Sequence, residues 1–365
     1  NDVFAFVKKD ANGNSVAELR EDMNVTVTLP EGATTADVAE ILKKAGVIKY
    51  PSVFEQFAKF RISKRSYLTG KYLTGEVTVN PLMNYDTLIN TLSDYERSRS
   101  GTVRITFPEG LTVKEILKLF EENGVGRKDD FTDALQNHEY DFKFCKNLTK
   151  EKLSEYRFDT NYSYRLEGYL FPDTYDFYTG DEPGRVIGKF LDDFEYRFTD
   201  KMKDNLAKLK ETMAAQLAEN GYSEDYIAAH PFTLREVMIV ASMVQQEAYS
   251  ITDSYLVSSV IYNRLADPDE YPFLNIDATL LYALQGERTE LTAEDLQMDD
   301  PYNTYNHVGL TPGPICNPGR NSIYAALEPQ DTNYYYYALE KGSDEHHFSE
   351  TLSEHEAFLA SQENG

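Results

Sequence analysis

The stretch Thr233-Leu-Arg-Glu-Val-Met-Ile-Val-Ala-Ser-Met-Val-Gln-Gln-Glu247 decides how the rest of the chain is read. Thr233 is a good helix N-cap, and Glu236 three residues on completes a capping-box pattern, in which hydroxyl and carboxylate each satisfy a backbone amide. From Val237 to Val244 only Ser242 is polar. One apolar stripe cannot describe that run, whereas a helix buried on nearly all sides of a large core can. The polar group Gln245-Gln246-Glu247 then arrives abruptly, where such a helix would leave its core. A glutamate held at that boundary is partly desolvated, which raises its pKa and keeps it protonated near neutrality, as a general acid requires. A solvated helix-end glutamate fits the same letters, so both readings of Glu247 stand open at this point.

A chain of 365 residues exceeds the usual size of one core, so two or three domains are expected. Lys plus Arg number 36 and Asp plus Glu 61, a formal charge of −25. Nucleic acid and anionic lipid headgroups need clustered cations, so neither is expected as the main partner, and a neutral or small ligand fits better. The 27 Tyr and 20 Phe, with no Trp, are a heavy aromatic load. Rings in irregular polar segments can stack on sugar faces, although most serve as core. Cys145 and Cys316 are too few for a disulfide scaffold or a zinc site, and one bridge between them stays open. No run of 18 apolar residues follows Asn1, so no membrane span is expected in these letters.

Residues 1–22 are polar and read as a leader or an edge hairpin turning at Asn12-Gly13-Asn14. An internal repeat follows: residues 25–47 align without a gap on residues 103–125, with 8 of 23 positions identical. Each copy opens with an alternating strand (Val25, Val27, Leu29; Val103, Ile105, Phe107) closed by Pro-Glu-Gly. Thr34 or Thr112 then caps a helix, and Gly46 or Gly124 stops it. The unit resembles the LysM-like modules that accompany cell-wall enzymes, which implies either glycan binding or a spacer role. The segment Tyr164 to Tyr178, with six aromatics broken by Gly168 and Pro172, keeps no single period and reads as irregular or as short strands. Residues 301–319 hold four prolines and three glycines, so no regular element is possible, and Asn317 reads as the N-cap of a helix with Pro318 in its first turn. Asp277 or Asn275 is expected to cap a helix reaching Leu284. Tyr334–Leu339 and the His346-His-Phe-Ser run read as paired strands about Gly342. Because adjacent histidines in a strand point to opposite faces, His346, His347 and His355 are not expected to bind metal.

In this order the C-terminal two hundred residues closely resemble the YceG-like (MltG) family of membrane-anchored endolytic murein transglycosylases. The motifs that carry the resemblance are Glu167-Gly-Tyr-Leu-Phe-Pro-Asp-Thr-Tyr175, Ala241-Ser-Met-Val-Gln-Gln-Glu247, Val257-Ser-Ser-Val-Ile-Tyr-Asn-Arg264, Asp277 with Thr279 and Tyr282, Tyr302-Asn-Thr-Tyr305, Gly309-Leu-Thr-Pro-Gly-Pro-Ile315, Asn317-Pro-Gly319, and His346 with Phe348. The resemblance implies an α+β fold in which small LysM-like strand-helix modules (23–160) precede a mixed, mainly helical catalytic domain (161–365). It also implies cleavage of the β-1,4 bond between N-acetylmuramic acid and N-acetylglucosamine within peptidoglycan strands, with Glu247 as the catalytic residue. Many members carry a glutamate where this chain has Gln245, which leaves Glu247 the one acidic candidate in its motif.

A hydrolytic glycosidase ordinarily needs two carboxylates. A lytic transglycosylase lets the muramic C6 hydroxyl attack C1, so one glutamate serves first as acid and then as base, without metal or cofactor. Tyr302, Asn303, Thr304 and Tyr305 are the first candidates for holding the sugar, with Asp277, Asn263 and Glu167 next. Each can equally be a hydrogen-bonded loop anchor. A catalytically idle wall-binding scaffold and a true hydrolase using Asp277 or Glu167 are the competing readings. The expected partners are peptidoglycan glycan strands and cell-wall synthesis proteins. The expected place is the extracytoplasmic face of the cell membrane, reached through a helix removed before Asn1.

Overall fold

The computed structural model describes residues 8–9, 15–16, 23–64, 70–93, 102–149, 153, 163–178 and 181–363. The architecture is α+β: helices carry most of the core, and the strands among the described residues form two-stranded sheets. Packing divides the chain into two compact units, one over residues 1–102 and 178–185 and a larger one over 103–177 and 186–365.

In the smaller unit, β1 (Lys8–Lys9) pairs antiparallel with β2 (Ser15–Val16), and the turn expected at Asn12-Gly13-Asn14 lies outside the described residues. β3 (Val25–Leu29) pairs antiparallel with β4 (Gly75–Val79), from Val25 opposite Val79 to Leu29 opposite Gly75. Its alternation puts Val27 and Leu29 inward. α1 (Thr35–Lys44) starts at the expected cap, Thr34, which forms a capping box with Asp37, and buries Val38, Ala39 and Leu42. Gly46 ends it at φ 73°, a left-handed conformation in which glycine has no Cβ penalty. α2 (Pro51–Lys64) and α3 (Tyr85–Leu92) close this core with Phe54, Ala58, Leu88 and Leu92.

In the larger unit, the second repeat copy builds β5 (Thr102–Thr106) and α4 (Val113–Glu122), the latter capped by Thr112 with Glu115. β5 lies beside β6 (Thr174–Tyr178), which comes from the aromatic segment. Arg104 bonds Asp176 through two 2.9 Å contacts, and Thr106 bonds Thr174 at 2.8 Å. Phe107, Phe120, Phe177 and Phe190 pack mostly edge to face, with Phe107 and Phe190 ring centroids 5.0 Å apart. Burying one such ring stabilises by about 1.5–3 kcal/mol, so the second copy is part of this core. The reading from residues alone ends the modular region at 160, whereas packing falls into units after residue 102. β5 finds its partner strand beyond residue 160, and Phe120 of α4 packs on Phe177 and Phe190 as well as on the nearer Phe107 and Phe131.

After α5 (Lys128–Gln136) and β6 the chain is mainly helical: α6 (Pro183–Arg197), α7 (Asp200–Glu219), α8 (Glu224–Ala229), α9 (Leu234–Glu247), α10 (Ile251–Ala266), α11 (Asp277–Ala283) and α12 (Arg320–Leu327). The hairpin β7 (Tyr336–Leu339) with β8 (His346–Ser349) and the helix α13 (Leu352–Glu363) follow. α9 is the central helix expected from its sequence. Every residue from Val237 to Val244 is fully buried, and Thr233 and Glu236 form the capping box.

The long segment 301–319 is tied along α9. Arg235, itself buried, bonds Glu236 at 2.8 Å and the Pro312 carbonyl; Ser242 Oγ accepts from Ile315 N at 3.0 Å. Two local expectations are corrected, and one open question is answered. Asn317 is not an N-cap: Gly319 caps α12, and the Gln245 side-chain oxygen accepts from Gly319 N and Ser322 Oγ, both at 2.9 Å. Neither Asp277 nor Asn275 caps α11: Ile276 holds that position, Asp277 begins the helix, and Asn275 turns the chain at φ 56°. Cys145 and Cys316 are free, buried thiols. Among the described residues no helix is long and apolar enough to cross a membrane.

Candidate active site

A cleft of about 730 Å³ opens in the larger unit where α9 ends. Glu247, the last residue of α9, lines it together with Asp277 and Ala278 at the start of α11, Tyr282 one turn further, and Glu167 from the turn before β6. The apolar run of α9 fixes this position along the axis, because the helix cannot slide without exposing part of Val237 to Val244 or burying its polar end, and the Ser242–Ile315 bond fixes its rotation.

Glu247 is half-buried by surface, but its carboxyl lies among densely packed atoms, and that desolvation is the largest influence raising its pKa. Tyr337 of β7 donates its hydroxyl to Oε2 at 3.1 Å and opposes the shift; the charge of Asp277 adds to it; the Ala278 amide and His346 oppose it. The balance leaves the pKa of Glu247 raised from its ordinary value. His346 is held by Asp253, Nδ1 to Oδ2 at 2.9 Å, and sets its ring edge-on to Tyr337 at 5.1 Å. Among the described residues no group of three His, Cys, Asp or Glu side chains could hold a metal ion.

Glu167, a further carboxyl lining the cleft, is buried. It accepts from Val113 N, the first amide of α4, at 2.9 Å, from Asn317 Nδ2 at 3.0 Å and from Tyr282 OH at 3.2 Å. Burial pushes its pKa up to about 8, although these donors draw it back. Asn317 is the hub of the same network. Its side-chain oxygen accepts from Gly168 N and Leu170 N, and its amide also reaches the Leu111 carbonyl at 2.9 Å. Gln246 Nε2 donates to the Gly110 carbonyl at 2.8 Å, so the Pro-Glu-Gly turn of the second repeat copy touches the end of α9 directly.

Of the candidate sugar-binding residues, the structure brings Asp277 and Glu167 to the cleft with Glu247. Tyr305 stands behind Asp277 and donates its hydroxyl to Oδ1. Tyr302, Asn303 and Thr304 are drawn into the fold and offer no surface to a ligand. Asn303 Nδ2 satisfies the Leu296 and Met298 carbonyls, and Thr304 Oγ1 accepts from Ile276 N at 2.9 Å. Asn263 faces elsewhere and bonds the Thr332 and Tyr334 carbonyls at 2.8 and 2.9 Å. A loop rich in Pro and Gly leaves backbone groups without ladder partners, and these polar side chains satisfy them. Tyr337 and Ala278 went unnoticed in the sequence. Tyr337 is one tyrosine in a run of four, and only strand register decides which of them turns toward Glu247.

A model of the YceG-like family matches residues 27–361. A Bacillus subtilis (strain 168) protein named endolytic murein transglycosylase is 31% identical over 337 residues, covering 91% of this chain and 82% of that protein. A Streptococcus pneumoniae (strain D39) protein of the same name is 26% identical over 359 residues, 93% of this chain and 58% of the relative. The crystal structure of a YceG-like protein from Listeria monocytogenes superposes with a TM-score of 0.54 at 26% identity, covering 92% of this chain and 99% of that one.

Proposed function

The chain belongs to the YceG-like family, and from that premise we propose that it is an endolytic lytic transglycosylase that cuts the MurNAc-β-1,4-GlcNAc bond within peptidoglycan strands. The observation that carries the reading is a single carboxyl, Glu247, fixed at the end of a buried helix where it lines a cleft, with burial raising its pKa. Glu247 gives its proton to the leaving N-acetylglucosamine oxygen as the bond to muramic C1 breaks. The carboxylate so formed takes the proton of the muramic C6 hydroxyl as O6 bonds to C1. Atoms and charge balance without water, metal or cofactor, Glu247 ends as it began, and the product terminates in 1,6-anhydro-N-acetylmuramic acid. The nucleophile is part of the substrate, so the step draws on proximity.

Asp277 favours a second reading. It lines the same cleft, and its charge is felt at Glu247, so it is placed to activate water in a hydrolase that would leave reducing muramic ends. A third reading, an idle wall-binding scaffold, predicts no new ends at all. Digestion of purified peptidoglycan with mass analysis of the products separates the three. Anhydro ends are one water lighter than reducing ends, and Glu247→Gln should abolish both in a folded protein. The strand-helix units at 25–47 and 103–125 read best as LysM-like modules, residues 161–365 as the span that holds the catalytic motifs, and the extracytoplasmic face of the membrane as the place of action, with cell-wall synthesis proteins as partners.

A further inference from the structure

One wall of the cleft plays no part in breaking the glycosidic bond. α4 turns Val113, Ile116, Leu117 and Phe120 into the core, and its opposite face brings Lys114 and Lys118 to the cleft. Lys128, at the start of α5, and Arg288, beyond α11, join them. Lys114 Nζ is bonded to the Gln285 carbonyl at 2.7 Å, and Arg288 to Asp295 at 3.0 Å. Lys118 approaches Glu122 only at 3.8 Å with both side chains exposed, a pair that contributes little. The first repeat copy supplies an internal control. The positions aligned with Lys114 and Lys118 are Ala36 and Glu40, so the copy that borders the cleft carries two cations where the other carries none. Glu115 and Glu121 line the same wall, but Glu115 is engaged by the Thr112 cap and Glu121 accepts from Lys128 N at 2.8 Å, so on a chain of net charge −25 the four cations still outnumber the acids of this wall and draw anions toward it.

We propose that this lysine wall binds the carboxylates of the peptide stems carried by murein strands, an inference that rests on the murein reading above. The sugars of the strand offer hydroxyl and acetamido groups, which are neutral, whereas the stems on the muramic lactyl groups end in carboxylates. A stem leaves the glycan beside the scissile bond, so a strand seated at Glu247 brings stem carboxylates within reach of long flexible ammonium side chains. Rim charges of this kind set selectivity more than total affinity.

The test measures binding with Glu247→Gln, so that strands stay intact. The probes are soluble murein strands bearing stems and the same strands stripped of stems by an amidase. Stem-bearing strands should bind about tenfold more tightly at low salt, as two or three exposed ion pairs allow. Adding Lys118→Glu and Lys128→Glu should erase that advantage without weakening binding of stripped strands, and Lys118→Arg with Lys128→Arg should keep it. Equal affinity for both strand types, or a charge reversal that weakens both equally, overturns the proposal. Wild-type digestion run in parallel separates the two readings. Stem-dependent binding without cleavage leaves the wall standing and removes the reaction, and cleavage with equal affinities does the reverse.

Discussion

The two copies of the repeat share a local code and differ in what they are used for. Thr34 with Asp37 and Thr112 with Glu115 form the same capping box, and Gly46 and Gly124 end the two helices at φ 73° and 69°. Yet β3 takes its partner strand from residues 75–79, inside the smaller unit, whereas β5 takes β6 from the segment that carries Glu167. Around Gly32 an added Cβ would meet open space; around Gly110 it would lie 3.3 Å from Gln246 Nε2, at the end of the central helix. The difference teaches that capping and turn chemistry specify a unit but not its employer. Bonds to residues distant in the sequence decide that.

The largest effect expected from this contrast is on truncation. Removing residues 1–100 should leave a folded protein that keeps its cleft, since the core of the larger unit starts at Val103 and Ile105. Removing residues 1–125 should abolish folding or activity, because it takes Phe107, Ile116 and Phe120 from that core and the Val113 amide from Glu167. Circular dichroism and glycan digestion check both, and an active, cooperatively folded 126–365 fragment would break the contrast.

Glu167 sharpens it next. Glu167→Ala leaves the Val113 amide and the Asn317 side chain short of a partner, at a cost of about 1–3 kcal/mol for each buried group stranded. Its folded pKa of about 8 lies above the ordinary 4.5, so the folded state binds the proton more tightly between those values. The stability this provides is full below pH 4.5 and is lost as pH rises through 8. Glu167→Gln should therefore flatten the fall in melting temperature across that window, and an unchanged slope would mean that another group causes it.

The smallest expected effect compares the caps. Thr34→Ala and Thr112→Ala each remove a capping hydroxyl worth about 1 kcal/mol. Only Thr112→Ala should lower the unfolding temperature of the catalytic unit, read by tyrosine fluorescence and activity loss on heating. Equal losses from both variants would join the two copies energetically.

Much of this was legible in the sequence wherever the signal was local. Thr233, Glu236 and the run to Val244 specified α9, and the abrupt polar end singled out Glu247. The Asn317 hub was not legible, because its partners Leu111, Glu167 and Gly168 lie about 150 to 200 residues away. Nothing near Asn317 distinguishes a hub from a helix cap. Asn303 and Thr304 misled for the opposite reason: a polar residue in a Pro-rich loop looks the same whether it awaits a sugar or satisfies a backbone carbonyl. Gln245 shows a third case. Read beside Glu247 as the place of a missing acid, it serves as the acceptor at the start of α12.

On the proposed reading one carboxyl, Glu247, suffices because the substrate brings its own nucleophile. Digesting stem-bearing peptidoglycan in heavy-oxygen water and weighing the muramic ends tests it directly. The expected products are 1,6-anhydro ends without label, all of them lost in Glu247→Gln. Reducing muramic ends carrying the heavy oxygen would contradict it and move the reaction to water activated by Asp277.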